Sequence, residues 1–328
     1  MRFLSLLLAA SMTTAPVLLH GQDQNGSASR PLSKISDRIN RGQTFQDGID
    51  AYEGGDYATA FEIFRPLAYE GNTQAMTLLG QMYDNGKGVP QDYSEAVKWY
   101  RIAAGRGNAA AQYNLGGMYS AGNGVPKAYA EAAKWYRLAA KQGYTEAQYN
   151  LGVMYGNGKG ISQDYAKAIK WYRLAANQGD AMAQNNLGSM YDLGEGVPQD
   201  YAEAVEWYRL AAKQGHPSAQ YNLGLMYDLG NGVPQDYTKT SKWYRLAAEQ
   251  GNARAQFNLG VMYAFGEGVA QNFTIAYILF NLASDQGNED AQENGDLAAE
   301  ELTPDQIAEA QRLSLEWEVG EPLPLQGD

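Results

Sequence analysis

The chain has 328 residues, 45% of them apolar, enough for a continuous core in one elongated array or in two or three ordinary domains. Its formal net charge of −12 opposes binding to phosphate backbones and to anionic membrane surfaces. With no cysteine, disulfides, thiolate nucleophiles, zinc–sulfur sites and lipid attachment through an N-terminal Cys are excluded together.

Residues 1–21 read as an export signal. Arg2 gives the positive start, Phe3 to Ala10 an apolar run, and Val17 to Leu19 a second run after Pro16. A membrane anchor is the alternative, but Thr13, Thr14 and Pro16 interrupt the ~20 apolar residues that a span requires. Cleavage after Gly21 is one possibility; it removes Arg2 and no acid, leaving −13. A periplasmic or secreted location is therefore expected. Residues 22–43 are polar, rich in Ser, Asn, Asp and Arg, and lack apolar periodicity, which predicts a disordered tether.

Residues 44–71 predict a shortened helix pair. Asp56, Tyr57, Ala60, Arg65, Ala68 and Gly71 keep the phase of Asp92, Tyr93, Ala96, Arg101, Ala104 and Gly107, and the turn shrinks to Glu53-Gly54-Gly55. From 72 to 287 the chain repeats itself every 36 residues. Ala-Gln recurs at Ala111, Ala147, Ala183, Ala219, Ala255 and Ala291, with Ala75 in phase. Leu-Gly recurs at Gly80, Gly116, Gly152, Gly188, Gly224 and Gly260, Tyr at 83, 119, 155, 191, 227 and 263, and Trp at 99, 135, 171, 207 and 243. Six units follow: 72–107, 108–143, 144–179, 180–215, 216–251 and 252–287.

Each unit divides into two helices. In 108–143, Ala111, Leu115, Met118 and Tyr119 share one helix face. Gly122 and Gly124 stop that helix, and Val125-Pro126 carries the turn. The second helix runs from about Tyr129 to Lys141 with Tyr129, Ala132, Trp135, Tyr136, Ala139 and Ala140 on its apolar face. Asp92 with Glu95 and Asp200 with Glu203 fit capping boxes with Asp as the cap; Lys167 and Lys239 replace Glu elsewhere. Glycine inside a helix, as at Gly116, costs about 1 kcal/mol against Ala, so its recurrence predicts a close approach that leaves no room for a Cβ. The Trp is expected to pack between successive helix pairs.

Residues 288–318 predict two capping helices. Asn288 to Glu301 is polar; Thr303-Pro304-Asp305-Gln306 starts the last helix, whose Ile307, Ala310, Leu313 and Trp317 would seal the array. Residues 319–328 are expected to form a disordered tail.

The pattern A-x-x-x-L-G-x-x-Y-x-x-G-x-G-V-x-x-D-x-x-x-A-x-x-W-Y-x-x-A-A-x-x-G resembles the Sel-1-like repeat, a relative of the tetratricopeptide repeat, in six copies. The resemblance implies an all-α solenoid of antiparallel helix pairs in a right-handed superhelix with a concave face. It also implies scaffold or adaptor roles, and brings no catalytic residues. A cysteine-rich branch of this family is associated with β-lactam binding; a chain without Cys does not resemble that branch.

Chemistry finds little support in the residues. Of two histidines, His20 lies in the signal and His216 at a first-helix start, where Asn108, Tyr144 and Asn252 stand in other units. Turns such as Asp84-Asn85-Gly86-Lys87-Gly88 lack both the acids of a calcium loop and the Gly-Lys-Ser/Thr of a phosphate loop. No catalytic, metal or cofactor site is expected, and the chain reads as a non-enzyme.

A partner is expected along the first helices, at positions off the core face. In the related tetratricopeptide fold the groove-lining positions correspond here to Thr77, Gln81 and Asp84; Tyr113, Gly117 and Ser120; Tyr149, Val153 and Gly156; Asn185, Ser189 and Asp192; Tyr221, Leu225 and Asp228; Phe257, Val261 and Ala264. The aromatic members either pack within the stack or anchor a ligand. The ladder Asn114, Asn150, Asn186, Asn222 and Asn258 either ties one helix to the next or bonds an extended ligand. The expected function is an exported interaction scaffold that binds a protein and acts in envelope signalling or assembly, as a monomer or a weak self-associator. A cell-wall glycan-binding module is the alternative.

Overall fold

The computed structural model describes residues 44–324; the expected signal, the tether, His20 and residues 325–328 lie outside them. All regular structure among the described residues is helical. The chain divides between Ala139 and Ala140 into two compact units.

The first unit opens with α1 (Phe45–Glu53) and α2 (Tyr57–Tyr69), continues with the pairs α3 (Thr73–Asn85) and α4 (Tyr93–Gly105), then α5 (Ala109–Ala121) and the start of α6 (Tyr129–Lys141). The second contains α7 (Thr145–Asn157), α8 (Tyr165–Asn177), α9 (Ala181–Leu193), α10 (Tyr201–Lys213), α11 (Pro217–Leu229), α12 (Tyr237–Glu249), α13 (Ala253–Phe265) and α14 (Phe273–Ser284). Two further helices, α15 (Glu289–Glu300) and α16 (Pro304–Glu316), follow.

Local signals set the helix ends. In most repeats the first helix starts on a polar cap: the Asn72 and Asn108 side chains accept from Ala75 N–H and Ala111 N–H. It ends at a left-handed glycine, such as Gly86 at φ 67° and Gly230 at φ 71°. Asp92 and Asp200 cap α4 and α10 by accepting from Glu95 N–H and Glu203 N–H. The expected capping boxes do not close. The cap N–H that Glu would satisfy already donates to the end of the preceding helix, Asp92 to Tyr83 O and Asp200 to Tyr191 O, both at 2.9 Å. The glutamates turn elsewhere: Glu95 pairs with Lys98, and Glu203 accepts from Trp207 Nε1.

Packing inside a repeat centres on one contact. A Cβ on Gly116 would lie 2.7 Å from Tyr136 Cδ1, and one on Gly188 2.7 Å from Tyr208 Cδ1. The expected close approach is real, and what fills it is a tyrosine ring of the second helix. That tyrosine is the large buried ring of the first five repeats, replaced by Phe280 in the sixth: Tyr100, Tyr208 and Tyr244 are 0–1% exposed. The Trp before it is only half-buried; Trp99 meets Tyr69 edge-on at 5.4 Å. Leu79, Leu115, Leu151 and Leu187 complete the cores.

Two polar links join successive helix pairs within each unit. The buried Gln of Ala-Gln donates to the last turn of the preceding second helix: Gln112 to Ala104 O, Gln184 to Ala176 O, Gln256 to Ala248 O. This satisfies a carbonyl that the helix C-terminus leaves unpaired. Its own Oε1 accepts from the Gln that ends the next second helix, Gln214 to Gln184 and Gln250 to Gln220, at 2.7 Å. The second link runs from arginine to the strict tyrosine, Arg101 to Tyr119 and Arg245 to Tyr263.

The second helix of the last repeat is the most apolar element. Ile275 to Phe280 on α14 are all buried, with Leu279 at the Trp position fully so. Ile307, Leu313 and Trp317 pack on that core, and Gln311 donates to Tyr277 OH. Residues 319–324, the start of the expected tail, fold back. Gly320 N–H donates to Glu249 O, Val319 lies over Gly251, and Leu323 is 7% exposed. An apolar Leu beyond a glycine turn supplies the contact that holds them.

Candidate functional site

The first-helix stripe is described in each unit separately. In the first unit, Tyr113 on α5 is half-buried and tilted against Tyr136, ring centroids 5.7 Å apart. Gly117, one turn on, leaves a Cβ only Tyr136 OH to meet, at 3.8 Å. Gln81 is half-buried. Thr77 differs from its expected place: it is 5% exposed, and its hydroxyl donates to Thr73 O, so it belongs to the core side of α3.

In the second unit the same pairing recurs on repeats three, five and six. Tyr149 faces Tyr172 at 6.0 Å, Tyr221 stacks on Tyr244 at 5.6 Å, and Phe257 faces Phe280 at 5.8 Å. The packing reading holds for these rings. One side rests on a buried ring of the second helix, and the residue stays half-exposed. Val153, Leu225 and Val261 lie one turn along and are half-buried too. Asn185 replaces the ring on α9 and is held from two sides: its amide donates to Asn186 Oδ1 at 3.4 Å and its carbonyl accepts from Asn222 at 3.1 Å.

The asparagine ladder is mostly tied inside the protein. Asn258 donates to Tyr244 OH, and Asn186 bonds the hydroxyls of Tyr149 and Tyr172. Asn114 differs, its Nδ2 buried without a hydrogen-bond partner among the described residues. These bonds position the tyrosines. Burial pushes the Tyr172 phenol up to about 12 and raises Tyr149 as well.

Three carboxylates share the stripe. Burial raises the carboxyls of Asp84, Asp192 and Asp228 above the usual range. Tyr100 OH donates to Asp84 at 3.4 Å and Tyr208 OH to Asp192 at 3.3 Å. Asp228 has no such donor and is raised further by Glu267 from the next repeat. Beside this acid edge, Ser189, Ser218, Tyr221, Asn222, Asn252 and Arg254 line a shallow open depression.

His216 sits at the N-cap of α11, its Nδ1 accepting from Ala219 N–H at 3.3 Å, and burial lowers its pKa. Among the described residues no three His, Asp or Glu side chains gather as a metal site. No helix there is long and apolar enough to cross a membrane. The glutamine links were not singled out from sequence, although the recurrence of Gln in Ala-Gln was the available signal. Within the second unit the rings, Val153, Leu225, Val261 and the carboxylates Asp192 and Asp228 all lie on first helices, and each ring rests on a buried ring of the second helix.

The Sel1 repeat family model matches residues 73–108, 109–144, 145–180, 181–216, 217–252 and 253–288. Those bounds carry the same period one residue later than the sequence phase. A protective antigen of uropathogenic Escherichia coli that displays an SLR fold is 38% identical, with a TM-score of 0.76 over 88% of this chain. This chain spans 64% of that antigen. A Sel1 repeat protein from Oxalobacter formigenes is 34% identical, with a TM-score of 0.66, and covers 73% of this chain and 96% of its own. Comparison with curated proteins returned no match.

Proposed function

The chain belongs to the Sel1 repeat family, whose members are generally non-catalytic protein-interaction scaffolds, and on that premise we propose that it is an exported scaffold holding a protein partner along its first-helix stripe. The observation that carries this reading is the braced aromatic row of the second unit. Tyr149, Tyr221 and Phe257 each lie on a buried ring of the second helix while staying half-exposed. A ring so held loses little freedom on binding, which favours it as an anchor. Positions one turn along vary from Gly117 through Val153 and Ser189 to Leu225, as a surface cut for one partner would and a repeated core would not. Export rests on Arg2 and the apolar runs that follow it. The same reading places the partner in the cell envelope, in signalling or assembly.

A photo-crosslinking residue tests the surface directly. Placed at Leu225, on the stripe, it should trap a partner in the native envelope; placed at Leu210, exposed on the second helix, it should not. Trapping at Leu210 alone would overturn the assignment.

A further inference from the structure

The repeat supplies its own control for surface residues, because any position can be compared with five equivalents. One row of exposed apolar side chains recurs as a rule: Ile102, Leu138, Leu174 and Leu210 on the second helices are 40–45% exposed. A second row does not. The last residue of the first helix is Asn85, Ala121 and Asn157 in repeats one to three, and Leu193, Leu229 and Phe265 in repeats four to six. These three are 63%, 58% and 72% exposed, more open than any of the recurring row. Each stands immediately before its Gly cap, and the Asn and Ala of the earlier repeats end the helix equally well. Helix termination therefore does not call for a large apolar residue here.

Charge changes at the same place. Two residues on, repeats one to three carry Lys87, Asn123 and Lys159, and repeats four to six carry Glu195, Asn231 and Glu267. The half-buried Asp192 and Asp228 precede Leu193 and Leu229, and Asp228 lies close enough to Glu267 to feel its charge. One edge of the second unit thus combines three open apolar side chains with a concentrated negative field. An anionic lipid surface is repelled by that field, and a cationic partner is attracted.

We propose that the turn-side edge of repeats four to six, Leu193, Leu229 and Phe265 flanked by Glu195 and Glu267, docks a basic amphipathic helix of a partner protein. Register supports a helix as the occupant. Asn222 bonds Asn185 between the first helices of repeats five and four, and helices that meet through their side chains stand on the order of 10 Å apart. Residues seven apart on a helix rise about 10 Å, so apolar side chains at i, i+7 and i+14 meet the three anchors while basic residues between them meet the carboxylates. Leu193, Leu229, Phe265, Glu195 and Glu267 lie outside the Tyr149–Tyr221–Phe257 row, and the test varies only these five, so the proposal stands or falls separately from that row.

The test uses the full chain and a labelled synthetic peptide of about 20 residues, long enough to hold a helix, with Leu on one face and Lys on the other. Its counterpart with Glu for Lys is the control. Fluorescence anisotropy should show binding of the Leu/Lys peptide only. Leu193→Asn with Leu229→Asn and Phe265→Asn, which alters no charge and restores the residue of repeats one and three, should weaken binding roughly tenfold or more. Glu195→Lys with Glu267→Lys should also weaken it and flatten its salt dependence. Helical circular dichroism should be unchanged in both. Equal binding by the triple variant, or by the Leu/Glu peptide, would overturn the proposal. So would finding that the triple substitution instead abolishes binding to phosphatidylglycerol vesicles or self-association in sedimentation.

Discussion

Two tyrosines of one repeat touch each other and live under different constraints. Tyr244, on α12, is 1% exposed and lies where a Cβ on Gly224 would come within 2.7 Å of its ring. Tyr221, on α11, stacks on the outer side of that ring at 5.6 Å and stays half-exposed. The inner position is tyrosine in five repeats and Phe280 in the sixth; the outer one runs Thr77, Tyr113, Tyr149, Asn185, Tyr221 and Phe257. The difference separates what the repeat needs in order to fold from what one partner could select.

Breaking the inner contact should have the largest effect. Tyr244→Ala removes a buried ring from the core and should cost about 3–5 kcal/mol, read as a lower denaturant midpoint. Gly224→Ala comes next. Although Ala is the better helix former, the methyl meets the Tyr244 ring, and overpacking should destabilise by about 1–3 kcal/mol. Gly117→Ala sharpens the comparison by reversing the sign. Its methyl meets only a hydroxyl at 3.8 Å, so the gain in helix propensity, about 0.5–1 kcal/mol, should appear as added stability. A loss of stability there would mean that the stripe is packed as tightly as the core.

The smallest effect concerns pH. His216 is held neutral by burial, so its folded pKa lies below the ordinary 6.5. The unfolded chain takes up the proton first, so this contribution to stability is present above about 6.5 and is lost as pH falls through the folded value. His216→Asn, which copies the Asn252 cap of the next repeat, should remove that acid-dependent component while leaving neutral stability near wild type. Thermal midpoints across pH 5 to 8 would check it, and identical profiles would refute it.

Much of the fold was legible because the 36-residue period carries helix, cap and turn signals in fixed register. Sequence placed α6 at about Tyr129 to Lys141, where the structure has it. Which of Trp135 and Tyr136 is the deep ring was not legible. Adjacent residues differ by only about 100° around a helix, so both fit the apolar face, and only the facing Gly116 selects the tyrosine. The capping boxes at Asp92 and Asp200 were misread for a related reason. Local spacing cannot reveal that the cap N–H is already taken by Tyr83 O or Tyr191 O. On the stripe, the positions carried over from the tetratricopeptide resemblance include the half-buried rings, but the resemblance does not reveal that Thr77 is buried, its hydroxyl turned back to Thr73 O. The acidic edge around Leu193, Leu229 and Phe265 was present in the sequence as a break in repetition; exposure gave it meaning.

In the proposed function, inner rings make the fold and outer rings hold the partner. The most direct measurement compares two double variants of the full chain, Tyr149→Ala with Tyr221→Ala and Tyr172→Ala with Tyr244→Ala, by thermal unfolding and by capture of the crosslinked partner. The outer pair should unfold within a few degrees of wild type and lose the partner, while the inner pair should unfold far earlier. An outer pair that folds normally and still captures the partner would contradict the account.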